Sequence, residues 1–280
     1  MGSTAALIDE ASGNNLHGYS YNTLSSLEDA LNQVDQLATL HHLNHVYIAT
    51  DQYTQNSLGY LAEQMRTPTT LFDASRCLVL PNASAGPAVL LIGPYDKLSM
   101  VLLSHFAIAT LFSQPERLGG APFQLYFVQP LAVSKLISPN EAFVNSLQLL
   151  DKKAQQLWFD NATWLATRWS YIRSAAPSYR TTYTYTMKVL FNHESSISSH
   201  CVSTSIQTGD QLIVTFPLLQ SAYVPSSMTL SAISFTTKPL NVPYGPFHLE
   251  TGRDQSMKPL MLQTTEGMTG ITLSTSSKKP

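Results

Sequence analysis

Charge is scarce in this chain. Asp, Glu, Lys and Arg make up only 12% of its 280 residues, against about a quarter in an ordinary soluble domain, and Ser, Thr, Asn and Gln fill the polar positions instead. The 16 basic and 18 acidic residues form no Lys/Arg stripe that could follow a phosphate backbone, which argues against nucleic acid as a partner. Cysteine is scarcer still. Cys77 and Cys201 stand alone, too few for a disulfide framework and without the CxxC spacing of a metal site. One bridge between them is arithmetically possible, but the reading from sequence is two buried free thiols. The longest apolar run, Leu98 to Phe112, carries His105 and falls short of the roughly 20 residues a membrane span needs; it reads as a buried helix. Met1 to Glu10 lacks the basic start and apolar core of a secretory leader. Gly119-Gly120 is followed neither by a Walker Lys-Ser/Thr pair nor by a helix, so no phosphate cradle and no cofactor site is expected.

What the chain does have is a change of grammar near Pro130. Ahead of it, apolar runs such as His45 to Ala49 and Ala88 to Ile92 alternate with stretches of helical spacing, while behind it period-two segments such as Thr181 to Val189 dominate. A helix is expected from Ser25 to His41, with Leu27, Leu31, Val34 and Leu37 on one face, and a second from Gln55 to Gln64, stopped by Pro68. The expected fold class is α/β plus all-β: a small sheet with flanking helices, then an antiparallel sandwich of jelly-roll type. The boundaries read from this pattern are a flexible N-terminal segment 1–24, an α/β domain 25–130, a β-sandwich domain 131–274 and a tail 275–280, with the two domains meeting across a modest interface.

Candidate site residues fall in three places. His41, His42 and His45 form a cluster in which His41 and His45 have i, i+4 spacing, but no third ligand is adjacent. A helix C-terminus favours His, so capping explains them and no metal site is expected. Asp51 and Asp73 each follow a predicted strand, at the sheet edge where α/β folds bind ligands. A carboxylate pair there could serve acid/base chemistry or hold a sugar hydroxyl, although turn and helix capping accounts for both. The third place is aromatic. Flat rings stack on sugars, and strand parity assigns Trp169 and the Tyr183, Tyr185, Met187, Val189 and Phe191 set to core. Trp158, in what reads as a polar loop from Gln155 to Asn161, is the first surface candidate, with Asp160 and Asn161 beside it and Trp164 second. Asn82-Ala-Ser and Asn161-Ala-Thr are glycosylation sequons.

The order of several segments is familiar: His45-Val-Tyr-Ile-Ala-Thr-Asp51, Leu71-Phe-Asp73, Cys77-Leu-Val-Leu-Pro81, Gly86-Pro-Ala-Val-Leu-Leu-Ile92, and Leu118-Gly-Gly-Ala-Pro-Phe123. Together with Thr167-Arg168-Trp169 and Thr208-Gly-Asp-Gln-Leu212, it resembles the soluble C-terminal portion of bacterial polytopic membrane glycosyltransferases that use polyprenyl-phosphate sugars, the group related to protein mannosyltransferases and aminoarabinose transferases. The resemblance implies a non-catalytic extracytoplasmic portion that supports a membrane active site or engages acceptor glycan. Its implied partners are a glycan or lipid-linked sugar acceptor and the membrane-embedded part of the parent chain. It carries no catalytic residue onto this sequence, because catalysis in that group is attributed to acidic loops beside membrane helices. The alternatives are a free-standing carbohydrate-active enzyme using Asp51 and Asp73, and a purely structural or interaction module.

Overall fold

The computed structural model describes residues 24–50, 55–93, 96–116, 121–132, 142–143, 147–151, 153–172, 181–191, 195–218, 227–239, 248–252 and 260–265. Up to Pro130 it contains α1 (Leu24–Leu40), β1 (Val46–Thr50), α2 (Gln55–Ala62), β2 (Thr69–Asp73), β3 (Cys77–Leu80), β4 (Ala88–Ile92), α3 (Lys97–Phe106), β5 (Ala107–Ser113) and β6 (Gln124–Pro130). Beyond it every described element is a strand: β7 (Ala142–Phe143), β8 (Leu147–Leu149), β9 (Lys153–Phe159), β10 (Ala162–Tyr171), β11 (Thr181–Phe191), β12 (Ser195–Ser203), β13 (Gln211–Leu218), β14 (Ser227–Pro239), β15 (His248–Gly252) and β16 (Leu260–Thr265). The chain is thus β-rich with few helices, and among the described residues the helices lie ahead of Pro130. None of them is long and apolar enough to cross a membrane.

The first half forms as its pattern dictates. Leu27, Ala30, Leu31, Val34, Leu37 and Ala38 recur at three- and four-residue intervals on α1 and are all buried. The helix stops in a Schellman turn: Leu43 N–H donates to Ala38 O at 2.8 Å and His42 N–H to Thr39 O at 3.2 Å, with His42 at φ 53°. β2, β1 and β4 run parallel in that order, and every position of each is buried, as expected of parallel strands covered on both faces. Parity divides their side chains. Val46, Ile48, Leu71, Val89 and Leu91 pack with α1 and α2, while Tyr47, Ala49, Phe72, Leu90 and Ile92 face a larger core.

That larger core corrects the expectation of a modest interface. It joins Tyr47, Phe72, Leu78 and Leu90 from before Pro130 to Trp169, Leu212 and Phe216 from after it. The backbone crosses the same line: Phe72 of β2 pairs with Ser203 of β12, and β3 pairs with β13 from Cys77↔Val214 to Leu80↔Gln211. One hydrogen-bonded path therefore runs β3, β13, β10, β9, β16, β14, β11, β12, β2, β1, β4, β6, β5. β2 and β3 are neighbours in sequence but lie far apart along that path, which folds back so that Cys77 of β3 meets Cys201 of β12. Their Cα atoms are 5.3 Å apart and the sulfurs form a disulfide. The reading of two free thiols is corrected. Sequence distance concealed a pairing that the returning sheet brings about.

Two local expectations are corrected as well. The apolar run read as a helix from Leu98 to Phe112 divides: α3 ends at Phe106, Ala107 is extended at φ −144° and ψ 157°, and β5 pairs with β6. Ile108 and Thr110 are β-branched, and the ladder offered by β6 prevails over continued helix. The stretch from Gln155 is not a loop either. Lys153 to Phe159 is strand β9, paired with β10, and the chain reverses through Asp160 and Asn161 at φ 49° and 57°, the pattern of a two-residue type I′ hairpin. The segment up to residue 23 and the tail 275–280 lie outside the described residues.

Candidate functional site

Trp158 is the most exposed aromatic side chain of the second half among the described residues, at 61% of its surface. It stands one residue ahead of the turn, opposite buried Thr163, and both turn residues, Asp160 and Asn161, are exposed. A ring with polar groups next to it is thus presented at the hairpin tip. Trp164 belongs elsewhere. It pairs with Leu157, so it projects from the opposite face of the hairpin. There its indole Nε1 donates to Phe159 O at 3.1 Å, the Phe159 ring meets it edge-on at 5.9 Å, and the Arg76 guanidinium lies 5.3 Å from its centroid. Of the four residues grouped from sequence, Trp158, Asp160 and Asn161 are all exposed at or beside the turn, while Trp164 lies on the opposite face, which is occupied. Trp169 is fully buried, as parity indicated.

The second location is the edge where β1, β2 and β4 end. Asp73 is the last residue of β2, nearly buried, and its Oδ1 accepts the Ser75 N–H at 2.9 Å. That is a turn cap, as the capping account required. Asp51 lies outside the described residues. Sequence reasoning missed a neighbour: Asp96, the N-cap of α3, accepts the Ser99 N–H at 3.0 Å. Burial pushes its carboxyl up to about 6, the Ser99 contacts oppose that, and the negative charge of Asp73 adds to the rise. Asp96 Oδ2 and Ser99 Oγ are buried without a protein partner. The signal for this residue was local: an Asp three positions ahead of Ser99 opening an apolar helix.

A third polar group sits deep, at the seam between β1 and the turn before β13. Tyr47 Oη donates to Asp210 Oδ1 at 2.6 Å, and Gln207 N–H donates to Asp210 Oδ2 at 2.8 Å. Burial drives the Asp210 carboxyl up to about 7 against the pull of those two hydrogen bonds. The Tyr47 hydroxyl rises well above its usual value, first from burial and then from the Asp210 charge. Next to it, His45 Nε2 lies 2.7 Å from Thr70 Oγ1, and the Thr70 hydroxyl donates to Ser205 O at 2.9 Å. Desolvation lowers His45 to about 4. These groups tie strand to turn and open onto no described cavity. A buried Tyr must find a partner for its hydroxyl, but the sequence does not say that the partner is 163 residues away.

The histidines divide along the same lines. His42 occupies the left-handed position of the α1 cap and His41 stacks edge-on with Phe127 at 4.9 Å. No group of three or more potential metal ligands occurs among the described residues.

Comparison with protein-family models, with curated proteins and with solved structures finds no match to this chain. Its function is therefore argued from its own residues.

Proposed function

We propose that this chain is a non-catalytic, glycan-engaging portion of a bacterial membrane glycosyltransferase that uses polyprenyl-phosphate sugars, held on the extracytoplasmic face beside the membrane-embedded part of its parent. The observation that carries the reading is Trp158: a large indole left 61% exposed near a hairpin turn whose two residues, Asp160 and Asn161, are exposed as well. An exposed ring stacks on the apolar face of a sugar while neighbouring polar groups take its hydroxyls. The Cys77–Cys201 bridge supports an oxidising compartment. The capping role of Asp73 supports a binding rather than a catalytic module, and the jelly-roll reading of the second half is that of a scaffold carrying such a tip.

Stacking adds about 1 kcal/mol beyond burial, so one ring and two polar groups give weak binding, on the order of millimolar. The test is a titration of the chain with mannose- and aminoarabinose-containing oligosaccharides, followed by Trp fluorescence. Trp158→Ala is expected to abolish the response and to leave the melting temperature nearly unchanged. Binding that survives the substitution sinks the reading at this residue, and no binding by the parent sequence favours a structural spacer. The enzyme alternative uses Asp51 and Asp73; turnover of an activated glycoside, lost in Asp51→Asn and in Asp73→Asn, is the outcome that would favour it.

A further inference from the structure

Asn82-Ala-Ser84 and Asn161-Ala-Thr163 are the two N-glycosylation sequons of the chain, and the fold treats them differently. The atom that carries a sugar in such a linkage is the side-chain amide nitrogen. At Asn82 that nitrogen is packed in: Oδ1 accepts both the N–H and the hydroxyl of Ser84, and Nδ2 lies so close to the turn before β13 that a Cβ on Gly209 would stand 2.2 Å from it. The amide cannot turn over to bring its nitrogen outward, because Nδ2 would then face the Ser84 N–H, donor against donor. Asn161 is placed the other way. It is exposed, at φ 57° in the two-residue turn between β9 and β10, a left-handed position that Asn fills at little cost, and a bulky group is accommodated at such a surface site. Two further observations point to its use. The Cys77–Cys201 bridge belongs to an oxidising compartment, the kind in which N-linked transfer takes place. Trp158, 61% exposed, pairs directly with Thr163, so the ring and the third residue of the sequon share one face beside the turn, and an indole there is a seat for a sugar.

We propose that Asn161 is a glycosylation site, the acceptor of an oligosaccharide carried on a polyprenyl diphosphate, and that Asn82 stays bare in the folded protein. The compartment rests on the extracytoplasmic placement under Proposed function. In the transfer the Asn161 amide nitrogen attacks the anomeric carbon of the first sugar. The C–N bond forms as the C–O bond to the diphosphate breaks, polyprenyl diphosphate leaves, and the proton lost by the nitrogen passes to a base of the transferase. Thr163 is buried in the completed fold and pairs with Leu218, so the transferase meets the sequon on the emerging chain, before β13 closes on β10. Once linked, the first sugar is tethered beside the Trp158 ring and stacks on it without a separate association step. A sugar on Asn82 has no such seat and has to push the turn at Gly209 away.

For the test, the full chain is sent by a cleavable leader into a compartment that contains an oligosaccharyltransferase, and the folded product is mapped by peptide mass spectrometry. The same sequence made in a host without that enzyme is the unmodified control. A glycan on the peptide holding Asn161 and none on the peptide holding Asn82 is expected, with complete loss in Asn161→Asp, a variant that keeps the left-handed turn position. The glycan is expected to raise the melting temperature over the control by roughly 2 °C, and Trp158→Ala to remove that difference. A folded product bare at Asn161, or one modified at Asn82, overturns the proposal. Equal stabilisation in Trp158→Ala overturns the ring as the seat of the first sugar. Titration of the unmodified control with free oligosaccharide reports glycan engagement by itself, so its failure is distinct from a failure of transfer.

Discussion

Asp210 makes the stability of this fold depend on pH. Burial holds its carboxyl at about 7, against about 3.9 in an unfolded chain, so the fold keeps a proton that the unfolded chain has already released. Its contribution to stability is full below about pH 4 and is lost as pH rises through about 7. Asp96, raised to about 6, runs the same way. His45, lowered to about 4, runs opposite: its contribution is present above about pH 6.5 and is lost as pH falls through about 4. Urea denaturation at pH 5 and pH 8 is expected to show the parent chain losing stability between them. Asp210→Asn should remove on the order of 2 kcal/mol of that loss, leaving the opposed contributions of Asp96 and His45 largely to offset each other. Equal slopes in parent and variant would mean that Asp210 is already ionised in the fold. At this scale the sequence was legible where a residue answers to its near neighbours: Trp169 in the core, His42 in the helix cap and Asp73 in its turn followed from parity and capping. Tyr47 and Asp210 did not, because each is explained only by the other.

Elements were legible where period and punctuation agreed. α1, β1, β4 and β11 lie within a residue or two of their expected ends, since a buried strand or an amphipathic helix declares itself over its own length. β9 and β5 were not, for one reason: their strand character comes from a partner. Gln155 and Gln156 read as loop until β10 lies alongside, and Ile108 to Phe112 read as helix until β6 does. Turns carry similar long-range detail. Gly209, between β12 and β13, has φ +91°, and a Cβ there would stand 2.2 Å from Asn82 Nδ2 and 2.7 Å from Asn82 Cγ. The Asn82 side chain cannot simply swing away, because its Oδ1 accepts both the N–H and the hydroxyl of Ser84. Gly209→Ala is therefore expected to cost about 1–3 kcal/mol, measured by chemical denaturation. Asn82→Ala in the same chain relieves the clash but not the backbone strain, so the double variant should recover only part of the loss. Full additivity would show that the two loops do not touch.

For the whole molecule, the change of grammar at Pro130 marks where the described helices end, yet strands and core cross it. Local patterns cannot show that the second half supplies neighbours to β2 and β3. The disulfide is the covalent form of that crossing, spanning 124 residues of sequence between Cys77 and Cys201, both fully buried. Closing so long a loop constrains the unfolded chain, and replacing both cysteines with serine is expected to lower stability by roughly 2–5 kcal/mol. Reductant alone should act slowly on the native protein and fast in denaturant; rapid reduction under native conditions would show that the bridge is accessible. The order of strands along the sheet also dictates an order in time. One edge of β2 waits for β12 and β3 waits for β13, so a chain emerging from the ribosome or a translocation channel holds β2 paired on one side only and β3 without a paired strand until about residue 218 has followed them out. Such distant pairings are closed late and slowly. The early part of the chain thus spends its first moments as an incomplete sheet, in need of shelter until its own far end arrives.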